Sequence, residues 1–266
     1  MRKETIIISL GGSLVVPNEI DLGFLRNFKH SLEKYLSPTN FGMGRQATKK
    51  SENSPKLVGD KRFFILVGGG KVARNYQKAL LEFGAKSSDR DWIGINVTIL
   101  NAEVVKNVFG QRSYPKIITD PNKKVKTTKD IVVGAGWKPG WSTDYVAVKI
   151  AETYNKKIPT RGSRIHDARD SGRGIGTIIN LTNVDYVYDK NPNNFPDAKP
   201  LKEVDWKSFE RIVGDKWSPG LSMPFDPRAS KLAARLKLKV AIINGKNLER
   251  LEDFLNNKSF VGTIIQ

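Results

Sequence analysis

Three short stretches combine residue types suited to holding phosphate. In FFILVGGGKVAR (63–74) an apolar run stops at three glycines and a lysine, and a helical pattern opens at once. Glycines at such a point let backbone N–H groups approach a phosphate, and the start of the following helix favours negative charge. Lys71 and Arg74 lie one helical turn apart in the same stretch. SLGGSL (9–14) offers a second glycine pair with a hydroxyl, Ser13. An ordinary turn explains that pair equally well. GWKPGWSTD (136–144) joins glycine turns, two indoles and a cation to a Ser-Thr-Asp helix start. Ser142, Thr143 and Asp144 could serve as caps, and capping and anion binding use the same unpaired N–H groups. Trp137 and Trp141 could be packing residues or the walls of a pocket. Lys231 follows soon after Asp226, a good helix cap. A cation there opposes the helix dipole, so a nearby anion would explain it; a solvated surface lysine is the alternative.

Two familiar phosphate motifs fit less well. Gly68-x-Gly70-x-x-Ala73 matches the dinucleotide fingerprint formally, but that reading wants an acid at the end of the next strand. Asp89 and Asp91 stand at about the right distance yet lie beside a helical pattern, with no second strand between. A Walker A loop needs Ser or Thr after its lysine, and Val72 follows Lys71. A tight strand-to-helix turn needs only one glycine. Three glycines with two cations therefore favour a phosphate site.

The elements that would position these residues alternate. Strands are expected at 5–10, 62–67, 130–133, 177–182, 239–243 and 261–265, with a short extension at 186–188. Helical spacing or start signals cover 20–36, 71–83, 89–109, 143–154, 226–238 and 247–255. This alternation predicts an α/β protein: a mostly parallel open sheet covered on both faces, with ligands beyond the carboxyl ends of the strands. Several strands end in glycine, so an extended phosphate-rich ligand, or two ligands side by side, is expected along that edge.

Composition narrows the partners. The chain has 266 residues, 39% of them hydrophobic, and a formal charge of +18. No apolar run is long enough for a membrane span, and the N-terminal TIIISL reads as a first strand rather than a signal peptide; a cytoplasmic protein is expected. Cysteine is absent, which excludes disulfides, thiolate metal sites and a Cys nucleophile. With two histidines, a His-rich metal site or a relay of several histidines is not expected. Much of the positive charge sits in 37–62 and 155–176, two polar stretches that read as surface insertions in a single domain spanning 1–266. Neither interleaves aromatics with arginine as nucleic-acid stacking surfaces do, so solvated loops outweigh RNA or DNA binding.

Taken together and in order, Gly11-Gly12-Ser13, GGGKVAR (68–74), DWIGINVTILNA (91–102), PGWSTDYVAVKIAE (139–152), LTNVDYVY (181–188), DPRASKLA (226–233) and GTII (262–265) resemble the amino acid kinase family, and within it the archaeal-type uridylate kinases. The resemblance spans nearly the whole chain apart from the two insertions. It implies a three-layer αβα sandwich and transfer of the γ-phosphoryl of ATP, with Mg2+, to UMP. It places Gly12, Ser13, Gly70, Arg74, Thr182, Tyr188 and Asn191 at ATP, and Gly69, Asp91 and the loop Trp137, Lys138, Pro139, Gly140, Trp141, Ser142 and Thr143 at UMP. Asp144 would organise the phosphate-binding groups and Lys231 would stand near the moving phosphoryl. A homo-oligomer, hexameric in this group, is implied as well. Other phosphate or carboxylate acceptors, or a non-catalytic oxyanion-binding relative such as a molybdenum storage protein, are the alternatives. The chain departs from the group's pattern in places. WKPGWSTD stands where the group usually reads THPGHTTD, and Tyr186 and Asn191 replace a glycine and an aspartate. Ser9 stands where many family members, though not this group, carry lysine.

Overall fold

In a computed structural model, residues 3–37, 61–155, 175–190, 192, 194–214 and 224–266 are described. Strand β1 (Glu4–Leu10) forms the middle of the sheet, with β2 (Lys61–Val67) parallel on one side and β4 (Thr177–Thr182) parallel on the other. Beyond β2 lies β3 (Ile131–Gly134); beyond β4 lie β8 (Lys239–Asn244), β9 (Thr263–Ile265) and β7 (Glu203–Val204). Five of the six pairings are parallel, and only β8–β9 is antiparallel. The chain builds outward through β2 and β3, then returns to the far side of β1. The turns after β1, β2 and β4 therefore leave the same edge next to one another, where an open α/β sheet places its ligands.

Successive residues of a strand face opposite sides of the sheet, and the apolar strands here are buried on both. Ile7, Phe64, Ile178 and Val240 face one core, shared with α5 (Thr143–Asn155), α6 (Trp206–Val213) and α7 (Pro227–Arg235). Ile8, Ile65, Ile179 and Ala241 face the other, shared with α1 (Gly12–Val15), α2 (Leu22–Glu33), α4 (Ser87–Phe109) and α8 (Glu249–Leu255). Helix α3 (Gly70–Glu82) lies outside α4, with Ala73 its one buried residue. The three layers follow from this two-sided burial. The alternation also puts Ser9 and Asn180 on the α5–α7 side, at the carboxyl ends of β1 and β4.

Expected boundaries hold to within a few residues, and the differences are local. Helix α2 starts at Leu22 because the Asp21 carboxylate accepts from Phe24 N at 2.8 Å. Helix α7 starts at Pro227 behind the Asp226 cap and stops at Arg235. The short extension expected at 186–188 is the two-residue strand β5 (Val187–Tyr188), whereas helix α6 and the two-residue strands β6 (Pro200–Leu201) and β7 were not expected. The stretches 38–60 and 156–174, the bulk of the two expected insertions, lie outside the described residues, as does Asn191. Among the described residues no helix is long and apolar enough to cross a membrane.

Candidate functional site

The turns after β1 and β2 are built against each other. Gly68 N donates to Leu10 O at 2.8 Å, and Gly11 N to Leu181 O at 2.8 Å, so three neighbouring strands are tied together where they end. A Cβ on Gly12 would lie 2.1 Å from Gly68 O and 2.5 Å from Gly70 N. Gly70 has φ +63, and its own Cβ would lie 2.5 Å from the Gly12 carbonyl carbon. This changes the meaning of the glycine run. The run serves mutual packing of two backbones, which no side chain could permit, so its length alone does not point to a ligand. Asn101, from α4, donates to Gly68 O at 2.9 Å and fixes the turn from behind.

An open cleft lies against these turns. From the expected ATP side it is lined by Gly12, Ser13, Gly70, Arg74 and Thr182; from the expected acceptor side by Gly69, Asp91, Trp141, Ser142 and Thr143; and between them by Asp144. Other expected residues fall outside the lining. Trp137 packs on the α5-side core, with Lys138 Nζ 4.3 Å from its ring centroid. Pro139 and Gly140 form the turn behind Trp141. Tyr188 belongs to the small β5–β6 pair, its ring 6.5 Å from that of Tyr186. Lys231 is exposed on α7. Gly136, which opens the 136–144 stretch, also lines the cleft, as do residues that the sequence alone does not mark individually: Gln77, Gly94, Thr98, Asn180 and Asn183. Thr98 Oγ1 accepts from Gly136 N at 2.8 Å, joining α4 to the start of the 136–144 loop.

That loop is tightly organised. Asp91, 8% exposed, accepts from Gly140 N at 2.7 Å. Burial raises the Asp91 pKa, while the Gly140 N–H and the charges of Arg90 and Arg228 pull it back. Trp141 lies 4.0 Å from Tyr145 and 6.2 Å from Trp137, ring centre to ring centre. Ser142 Oγ accepts from Tyr145 N at 3.1 Å and caps α5. Asp144 does something else. Its Oδ1 accepts from Ser9 Oγ at 2.7 Å and its Oδ2 from Asp226 N at 3.2 Å. Burial pushes its pKa up to about 6, and the Asp226 charge adds to the rise. The serine at position 9 is thus a working part of the site, holding Asp144 by a neutral hydroxyl. Asp226 is itself raised by burial while capping α7 through Ala229 N at 2.7 Å.

Among the described residues no group of three or more acidic or histidine side chains could cage a metal. Asp91 and Asp144 are the carboxylates that line the cleft. Such a donor set suits a hydrated Mg2+ carried on substrate phosphates, which binds through one or two carboxylates rather than a protein cage.

The fold and cleft define a three-layer α/β protein with an open cleft at the carboxyl edge of a mostly parallel sheet. Residues 173–244 match the model of the amino acid kinase family. Over 256 residues the chain is 30% identical to the uridylate kinase of Pyrococcus abyssi (strain GE5 / Orsay), covering 95% of this chain and 96% of that protein. It is 32% identical over 266 residues to the uridylate kinase of Methanocaldococcus jannaschii, covering 98% and 99%. The crystal structure of uridylate kinase from Archaeoglobus fulgidus superposes with a TM-score of 0.70 at 26% identity, covering 99% of this chain and all of that one. The chain belongs to the amino acid kinase family.

Proposed function

We propose that this protein is an ATP-dependent UMP kinase, which transfers the γ-phosphoryl of ATP to UMP and releases UDP and ADP. One observation carries the reading most: the two interlocked glycine turns and the 136–144 loop meet at a single cleft, along the full length of a chain related to uridylate kinases. Two phosphate-bearing ligands can approach each other there from opposite sides.

The chemistry asks little of the side chains. A phosphate oxygen of UMP is already a nucleophile at neutral pH, so no strong base is required. Catalysis is positioning plus neutralisation of charge on the moving phosphoryl. Gly12, Ser13, Gly70 and Arg74 would take the ATP phosphates, with Thr182, Tyr188 and Asn191 toward the rest of the nucleotide. Gly69, Asp91 and residues 137–143 would hold UMP. Asp144, fixed by Ser9 and Asp226, would orient the groups between donor and acceptor. Lys231 would reach the transferring phosphoryl by movement of its long side chain. Mg2+ on the ATP phosphates would supply further neutralisation, with Asp144 and Asp91 as the carboxylates able to meet its waters. The same reading carries a homo-oligomer, hexameric by resemblance, working in the cytoplasm on pyrimidine nucleotides.

A coupled assay of ADP release tests it, run with UMP, CMP, dUMP and small acids as acceptors. Turnover should be highest with UMP. Silence with UMP beside activity on another acceptor would overturn the substrate assignment.

A further inference from the structure

The first turn of α7 grips the 136–144 loop at alternate residues. Arg228 Nη1 donates to Gly140 O at 2.8 Å. The Asp226 carboxylate accepts from the Ser142 side chain, and the Asp226 N–H donates to Asp144 Oδ2 at 3.2 Å. Residues 140, 142 and 144 are therefore all clipped to one short segment, Asp226–Arg228. From the opposite layer, Asp91 on α4 takes the Gly140 N–H at 2.7 Å. Both backbone groups of Gly140 are thus held, by helices on opposite faces of the sheet. Gly140 has φ +85, a conformation that glycine adopts without strain.

The Arg228 guanidinium also lies 5.6 Å from the Trp141 ring centroid. Trp141 lines the cleft and Arg228 does not. As placed, the arginine is engaged with the Gly140 peptide and the Trp141 ring rather than with the cleft itself. Its charge is felt by both Asp91 and Asp226, which would otherwise be less balanced. Because Arg228 is exposed, truncating it opens no cavity.

We infer that Arg228 is a positioning residue for the acceptor: it sets the Gly140–Trp141 segment and couples the acceptor loop to the helix that carries Lys231. The inference rests on the proposed role of residues 137–143 in binding the acceptor. It predicts an effect confined to one substrate. One exposed charge-assisted hydrogen bond and one cation–ring contact amount to about tenfold in affinity.

The experiment uses the full chain, with Arg228→Ala and Arg228→Lys measured beside the wild type. In Arg228→Ala the KM for UMP should rise about tenfold, with the KM for ATP changed by less than about twofold and the thermal midpoint lowered by no more than a few degrees. Arg228→Lys should recover only part of the loss, because an ammonium can donate to Gly140 O but cannot reproduce the planar guanidinium face on Trp141. An unchanged KM for UMP, or equal rises for UMP and ATP, would overturn the inference. If the wild type is silent with UMP and uses another acceptor, the same split is read on that acceptor, and only the UMP assignment falls. Hydrogen exchange of the 137–143 segment decides the case in which no acceptor turns over. Faster exchange in Arg228→Ala supports the clamp, and identical exchange removes it.

Discussion

The two edges of the seven-stranded sheet treat charge in opposite ways. At the amino edge, acids and bases neutralise each other within the chain. Asp130 pairs with Lys3 and with Arg112, the latter at 3.2 Å; Lys61 pairs with Glu4; and Arg62 donates to the carbonyls of Thr127 and Lys129 at 2.8 and 3.0 Å. At the carboxyl edge, Asp91, Asp144 and Asp226 are held mainly by peptide N–H groups and hydroxyls. Burial raises the pKa of all three. The first edge is complete without a ligand. The second keeps carboxylates in places that favour their neutral form, a local cost of the kind that real folds carry at functional sites. On the function proposed above, the cations that accompany the substrates' phosphates would complete its charge balance.

If that division is right, substitutions at the two edges should separate activity from stability. The largest effect expected is at Lys231. Lys231→Ala should lower turnover by on the order of 10²-fold or more, the size seen when one charge-stabilising group is lost, and should leave the thermal midpoint unchanged because the side chain is exposed. Near-normal turnover in a steady-state assay would take Lys231 out of the mechanism. Gly12→Ala should do the reverse. Its new Cβ would meet Gly68 O at 2.1 Å, so the two turns must part. The expected loss is about 1–3 kcal/mol in denaturant unfolding, with a fall in ATP binding as the turns separate. A variant of full stability would show that the turns are not locked together.

Asp130→Ala tests the other edge. It deprives Lys3 and Arg112 of a buried acid, although both retain contacts to Ser37. A loss of about 2 kcal/mol is expected, below the figure for a fully buried pair because both cations are partly exposed. The KM values for both substrates should stay at wild-type levels. A rise in either would mean that the amino edge is not merely structural.

Much of this organisation was legible in the sequence, and the gaps have physical causes. Long apolar strands and amphipathic helices declare themselves through period, so β1, β2, β4, β8 and α3 to α5 were readable. Helix α6 was missed although Asp205 caps it through Ser208 N, and Trp206, Phe209 and Val213 lie at helical spacing. Eight residues give too few periods to stand out from a polar stretch. The two-residue strands β6 and β7 depend on partners elsewhere in the chain and carry no local pattern. At the site, the glycine turns and the 136–144 loop could be found as motifs. The reason for the glycines could not, because Gly12 and Gly70 are required by each other across a long separation in sequence. Ser9 and Asp226 were visible only as an absent lysine and a helix cap. Their hold on Asp144 exists only once β1, α5 and α7 are packed together.

The smallest expected effect concerns the pH dependence of stability, and it probes that hold directly. Asp144 has its pKa raised from 3.8 to about 6 in the folded protein, by burial first and by Asp226 second. The folded state therefore binds this proton more tightly than the unfolded state does. Stability from the group is fully present below 3.8 and is lost as pH rises through about 6. Asp144→Asn removes the titration and keeps a side chain of similar shape that can accept from Ser9. The wild type should therefore lose stability relative to Asp144→Asn between about pH 4 and pH 6. The residue lines the open cleft and Ser9 still donates to its carboxyl, so the change should be on the order of 1 kcal/mol rather than the full value of the shift. Thermal midpoints of the two proteins across that range provide the measurement. Parallel curves would mean that Asp144 titrates as an ordinary surface acid, and the contrast between the two edges would then rest on geometry alone.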